Sequence, residues 1–206
     1  MSSPTESSSS DGRNARRDTN ILLALTTAQL MFDEDILVPS IEAVAERSGI
    51  SARSLYRYFE DPQTLVRHAI EHAAEEAYNL MSIDNIGEGP LTKRIDEMVA
   101  SRLRGYQYIA GSVRAAAAQQ PAQSEFVQSL DNGLRLKLAQ FRMQFERELS
   151  QVSAHERVLT SEACNTLLTM ESIDMLHRRR GLSFDDIAEL LSDALSKMLH
   201  RLNSAA

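Results

Sequence analysis

Apolar residues recur at three- and four-residue steps along most of this chain, and little interrupts them. One series runs Val127, Leu130, Leu134, Leu138, Phe141, Phe145 and Leu149; another runs Phe184, Ile187, Ala188, Leu191, Leu195, Met198 and Leu202. Such spacing gathers side chains on one face of a helix, whereas a strand would scatter them over both of its faces. Glycine occurs eight times and proline five times in 206 residues, mostly where these runs stop. No alternating stretch of strand length and no internal repeat is visible. The pattern predicts an all-α fold of about nine helices. They are expected over Asn14–Phe32, 40–48, Ala52–Phe59, 61–81, Leu91–Tyr106, an Ala-rich segment "VRAAAAQQ" before Pro121, 127–149, His155–Arg180 and Ser183–Leu202.

The punctuation supports these boundaries. Ser40 is a good N-cap for "IEAVAERS", with Glu42 in the first turn where the helix dipole favours an acid. Gly49 ends that helix and Ser51 caps the next. Asp61 precedes Pro62, whose missing N–H costs nothing at a first helical position.

Composition narrows the chemistry. Cys164 is the only cysteine, so an internal disulfide and a multi-cysteine zinc site are excluded. No run of about 18 apolar residues exists, so no membrane span is expected. The start, "MSSPTESSSSDG", lacks the apolar core of a signal peptide and reads as a disordered polar tail over residues 1–12. A reducing cytoplasm is the expected compartment. The net charge is −7, but it is unevenly spread. Arg13, Arg16 and Arg17 form one acid-free cluster, and Arg47, Arg53 and Arg57 lie in another acid-free stretch. Without these six, 16 basic residues face 29 acidic ones. A basic head on an acidic body is compatible with nucleic acid as partner.

The segment "GISARSLYRYFED" carries the most specific pattern. Three of the chain's five Tyr and six Phe fall between Tyr56 and Phe59, interleaved with Arg53 and Arg57. Ala45, Gly49 and Leu55 have the offsets of a helix-turn-helix. The first must be small where two helices cross, the second must tolerate positive φ in the turn, and the third anchors the second helix on the core. Val44, Ile50 and Phe59 add apolar contacts. Leu55 and Phe59 then point inward, while Ala52, Arg53, Tyr56 and Arg57 lie on the outward side. Small residues at the start of this helix, Ser51, Ala52 and Ser54, allow close approach to base edges in duplex DNA. Arg53 is placed for bidentate contact with guanine. Tyr56, Arg57 and Tyr58 suit phosphates, as does Ser40 at the start of the preceding helix.

The stretch "IEAVAERSGISARSLYRYFEDPQTLV" resembles the DNA-binding segment of the tetracycline-repressor (TetR) family, and "ILLALTTAQLMF" resembles that family's first helix. The specific motif covers about residues 16–66; the rest is similar only in helix number and length. Three positions depart from the family pattern: the acidic "FDEDILVPS" replaces a glycine, Pro62 replaces a basic residue that touches phosphate, and Arg53 replaces a small residue. The resemblance implies a helix-turn-helix DNA-binding domain over 13–61 and a helical ligand-binding and dimerisation domain over 62–206. It implies a homodimeric regulator, usually a repressor, that binds a palindromic operator and answers to a small-molecule effector. Its last two helices would form the dimer interface, here Leu167, Phe184, Ile187, Leu191, Leu195, Met198 and Leu202. Candidate pocket residues are Met98, Arg102, Tyr106, Phe126, Met143, Cys164, Asn165 and Met170, with Arg102 suited to an anionic ligand.

Other constellations are weaker. His68 and His72, with Glu75 and Glu76 a turn further on, have metal-ligand spacing, but a polar helix face accounts for them and no metal is expected. No histidine has Glu three residues before it, as a di-iron bundle requires, and no phosphate-cradling loop or nucleophile elbow is visible. Neither an enzyme nor a cofactor is expected. The rival reading is a ligand-binding or catalytic helical bundle whose helix-turn-helix is vestigial.

Overall fold

A computed structural model describes residues 7–119 and 124–203, and the side chains of residues 12, 14–119 and 133–201. The described residues form ten α-helices and one π-helical turn, with no strand among them. No helix of the described residues is long and apolar enough to cross a membrane. Two compact units divide the chain: Met1–Glu76 with Ile109–Gln120, and Ala77–Tyr108 with Pro121–Ala206.

The first unit contains α1 (Ser7–Asp33), α2 (Ile41–Ser48), α3 (Ala52–Tyr58), most of α4 (Pro62–Leu80) and the C-terminal part of α5 (Leu91–Ala118). Residues 1–6 of the Ser-rich tail lie outside the described residues. The core is built from Ala24, Ala28, Met31 and Phe32 of α1, Ile41 and Val44 of α2, Leu55, Phe59, and Leu65, Val66, Ala69 and Ala73 of α4. Leu55 and Phe59 are essentially fully buried. Each stabilises the fold by about 1.5–3 kcal/mol over leaving the side chain in water. The predicted caps are present. Ser40 Oγ accepts from the Ala43 N–H at 3.1 Å, Ser51 Oγ from Ser54 N–H at 3.3 Å, and Asp61 Oδ1 from Thr64 N–H at 2.7 Å. Gly49 sits at φ +70°, a left-handed conformation in which its N–H closes on the Ala45 carbonyl.

Where α5 meets α1, Gly111 has no room for a side chain. A Cβ there would lie 2.8 Å from the Phe32 carbonyl carbon and the Asp33 nitrogen. Arg114 ties the same junction, with Nε 3.0 Å from Asp35 Oδ1 and Nη2 3.4 Å from the Phe32 carbonyl oxygen. The sequence pattern divides this region into a helix ending at Tyr106 and a separate Ala-rich segment. The structure has one unbroken 28-residue helix instead. Alanine's high helix propensity carries the chain through Gly105 and Gly111, each of which costs about 1 kcal/mol.

The second unit contains the start of α5, α6 (Ser124–Gln144), α7 (Glu146–Leu149), α8 (Ala154–Leu167), α9 (Met170–Asp174), the π-helical turn Met175–Arg179 and α10 (Phe184–Asn203). Two predicted long helices are broken. The 127–149 run stops at Phe145, whose φ of −117° and ψ of 23° leave the helical region. The 155–180 run stops after Leu167, because Thr169 adopts extended geometry and its hydroxyl caps a new helix through the Ser172 N–H at 3.3 Å. Ser183 and Asp186 cap α10 reciprocally: each side chain accepts the other's backbone N–H at 3.1 Å.

Arg94 and Glu148 form a buried pair, with side chains 3% and 7% exposed. Arg94 donates to both Glu148 oxygens at 2.8 and 2.5 Å, to the Gln144 carbonyl at 2.8 Å and to the Gly89 carbonyl at 3.2 Å. Gln144 in turn accepts from the Gly87 N–H at 2.8 Å and donates to the Arg94 carbonyl at 3.0 Å, so one polar cluster pins the loop before α5 to the end of α6.

Candidate nucleic-acid interface

The Gly49 turn aims α3 so that its two faces separate cleanly. Leu55 goes inward, and Arg53, Tyr56 and Arg57 are exposed, Tyr56 at 46%. Ser51 and Ser40 are exposed at the two helix starts, while Ala52, Ser54 and Tyr58 are half-buried. Ser51 and Ser54 share a hydroxyl–hydroxyl bond of 2.9 Å, which fixes the first turn of α3. Arg53 makes no hydrogen bond or ion pair among the described residues, so its guanidinium is available to a partner.

Tyr58 is the centre of a cationic group. The Arg57 guanidinium stands 5.2 Å and that of Arg17 5.9 Å from its ring centre, and Arg57 donates to its hydroxyl at 3.3 Å. A hydrogen bond from Asn20, and then the bond from Arg57, hold the Tyr58 phenol below its ordinary value. Basic side chains from α1 and α3 therefore converge at one point. Sequence reading placed Arg17 and Arg57 in separate clusters. Nothing in the spacing joins residues 40 positions apart, and Asn20 carries no local signal.

By sequence, Glu42 is no more than an acid at the start of a helix. The Tyr56 hydroxyl donates to its carboxylate at 2.8 Å. That bond, then its own backbone N–H and the Ser40 hydroxyl, hold the Glu42 carboxyl below its usual range. The bond to Glu42 in turn raises the Tyr56 phenol. Arg47, grouped by sequence with Arg53 and Arg57, is bridged instead to Glu34 at 2.7 Å. The acidic turn after α1 reaches it, so it does not add to the free basic surface.

On α4, His68 meets the Phe59 ring at 6.1 Å and the Arg67 guanidinium at 3.4 Å. Among the described residues no three His, Cys, Asp or Glu side chains gather as a metal site.

The described residues among the predicted pocket set have different surroundings. Met98, Arg102 and Tyr106 share the buried face of α5. Tyr106 donates to Asp174 Oδ1 at 3.0 Å and meets the rings of His177 and Phe184 edge-on and tilted, at 6.3 and 6.1 Å. Cys164 faces α10 instead, with its sulfur 3.8 Å from that of Met198, and burial pushes its thiol up to about 12. Asn165 is half-buried and Met170 buried. Met143 is 58% exposed, because Phe141 and Phe145 take the inward face of that segment; it lines no interior site. The Phe126 side chain lies outside the described residues.

The stripe expected at a dimer interface is in part covered by the chain itself. Ile187, Leu191 and Leu195 are wholly buried within their own chain, where α10 packs on α7 and α8. Phe184 stacks on His177 at 4.2 Å. Leu167 and Met198 are half-buried, and the side chain of Leu202 lies outside the described residues. A periodic stripe shows that a helix face is covered, and here one chain covers most of it.

No protein-family model and no curated protein matches this chain.

Proposed function

We propose that this protein is a transcriptional regulator of the TetR type, which binds palindromic duplex DNA as a homodimer and releases it in response to a small molecule. One observation carries the reading: α3 is anchored by buried Leu55 and Phe59 and presents Arg53, Tyr56 and Arg57 to solvent beside the Arg17–Tyr58 cluster. Arg53 reads base edges, and Arg57, Arg17 and Tyr58 engage phosphates. The acidic remainder of the chain repels DNA and confines contact to this head. With most of the α10 stripe occupied internally, the surface left for a twin subunit includes Leu159 of α8 and Leu190 of α10, 57% and 41% exposed. Helix α4 contributes residues to both units, so a ligand that shifts it alters the spacing of two recognition helices. Ligand and DNA affinities are then reciprocally linked.

The test is salt-dependent binding to duplex DNA taken from around the protein's own gene. Arg57→Ala is expected to weaken binding to all sequences and to reduce the slope of log K against log salt by about 1. Arg53→Ala is expected to relax preference at one base position, worth about 1–3 kcal/mol. If both variants bind as the wild type does, α3 is not a recognition helix.

A further inference from the structure

Helix α5 carries two buried arginines eight residues apart, and the fold treats them differently. Arg94 faces a buried carboxylate, and both ends of its guanidinium fork meet Glu148 oxygens. Arg102 is wholly buried and meets none among the described residues. Its Nη1 donates to the Gln140 side-chain oxygen at 2.5 Å and its Nη2 to the Lys137 carbonyl at 2.9 Å, both neutral acceptors. Its Nε is buried and reaches no acceptor at all among the described residues.

The neighbouring charge makes matters worse. Lys137 brings a second cation, and its ammonium is lowered first by burial and then by Arg102, with Glu171 pulling the other way. Burial alone pushes the Arg102 guanidinium down to about 10. An uncompensated cation in a low-dielectric interior is strongly unfavourable, and proteins retain such groups chiefly where something outside the chain supplies the counter-charge.

We propose that Arg102, seconded by Lys137, receives the carboxylate of a small organic acid. A guanidinium with a free Nε–H donates to one carboxylate oxygen through Nε and to the second through a remaining Nη hydrogen. Arg94, on the same helix, pairs with a carboxylate through its two terminal nitrogens instead. Met98 and Tyr106, one turn to either side of Arg102 on the buried face, give the ligand body apolar and aromatic surface. A phosphate or sulfate can pair with the same fork, but Met98 and Tyr106 favour an anion carried on an apolar body over a strongly hydrated inorganic one. As the effector site this proposal rests on the regulator reading above; carboxylate binding itself does not.

The experiment is thermal unfolding of the full chain as wild type, Arg102→Met and Arg94→Met. Each is measured at one ionic strength with acetate, hexanoate, benzoate, the three matching amides, or inorganic phosphate. At least one carboxylate raises the wild-type midpoint by about 2–4 °C or more, while the amides and phosphate do not. Arg102→Met loses that response, and without ligand its midpoint equals or exceeds that of the wild type, because a lone buried charge has been replaced by an apolar chain. Arg94→Met falls well below the wild type, because it strands Glu148. Four results overturn the proposal: no response to any carboxylate, an equal response to amide or phosphate, a response retained in Arg102→Met, or an Arg102→Met that unfolds as readily as Arg94→Met. Duplex binding measured on the same protein keeps the two readings apart. A carboxylate shift without DNA binding removes the effector role and leaves the site; DNA binding without the shift removes the site and leaves the regulator reading.

Discussion

Replacing Glu148 with alanine should be among the most damaging single changes in the second unit. The Arg94–Glu148 side chains are 3% and 7% exposed, and Arg94 would keep only the carbonyls of Gln144 and Gly89. Breaking a buried pair from one side costs about 3–5 kcal/mol, because a charge stays behind without its partner. A kilocalorie shifts the midpoint of a chain this size by about 2–4 °C, so Glu148→Ala lowers it by roughly 6–20 °C. The chain supplies its own control. Lys197 and Asp193 pair at 2.6 Å but are 74% and 59% exposed, and Asp193→Ala is expected to cost about 0–1 kcal/mol. The double variant Arg94→Met/Glu148→Leu leaves no charge behind and should recover most of the loss. Urea and thermal melts followed by far-ultraviolet circular dichroism read the wild type, these variants and the two single variants Arg94→Met and Glu148→Leu. A loss below about 1 kcal/mol for Glu148→Ala, or a double variant whose loss is the sum of the two singles, would refute the reasoning.

Two further outcomes follow from close contacts and capping. Gly111→Ala should destabilise by about 1–3 kcal/mol, since its Cβ meets the backbone of α1, which cannot yield as a side chain can. Gly105→Ala meets only the flexible Met81 side chain and is the comparison; a Gly111→Ala as stable as Gly105→Ala in urea melts rejects the close approach. The Ser183 bonds hold the Asp186 carboxyl below the usual carboxylate range. A depressed carboxyl stabilises the fold above its unfolded value, and that contribution disappears as pH falls through the lower folded value. Melts between pH 2 and 6 should show a steeper acid-side loss in the wild type than in Asp186→Asn; parallel curves would remove the assigned role.

Local signals in the sequence proved readable where the chemistry is local. Ser40, Gly49, Ser51 and Asp61 act on backbone groups within three or four residues, so their spacing alone located α2, α3 and the start of α4. The inward faces of Leu55 and Phe59 follow from the same short-range periodicity. Helix ends were less legible wherever tertiary packing overrode propensity. Gly105 and Gly111 look like breakers but lie inside α5, and Phe145 looks like a continuing stripe but ends α6. Long-range pairs could not be read at all. The Arg94–Glu148 pair, the Arg17–Tyr58 contact and the Tyr56–Glu42 bond join residues 54, 41 and 14 positions apart, and no pattern along one helix encodes them. The stripe on α10 was correctly apolar, yet a stripe does not name what covers it.

On the proposed DNA-binding reading, Glu42 gives the head an internal rival. The Tyr56 and Ser40 hydroxyls already rest on one anion, so a phosphate would have to exchange places with it. The gain from those hydroxyls is then a difference between two similar bonds, and a displaced carboxylate remains nearby to repel the backbone. On that reading, only a duplex that lets several arginines engage at once would overcome that opposition. Selectivity in such a head would owe as much to a well-placed acid as to its bases.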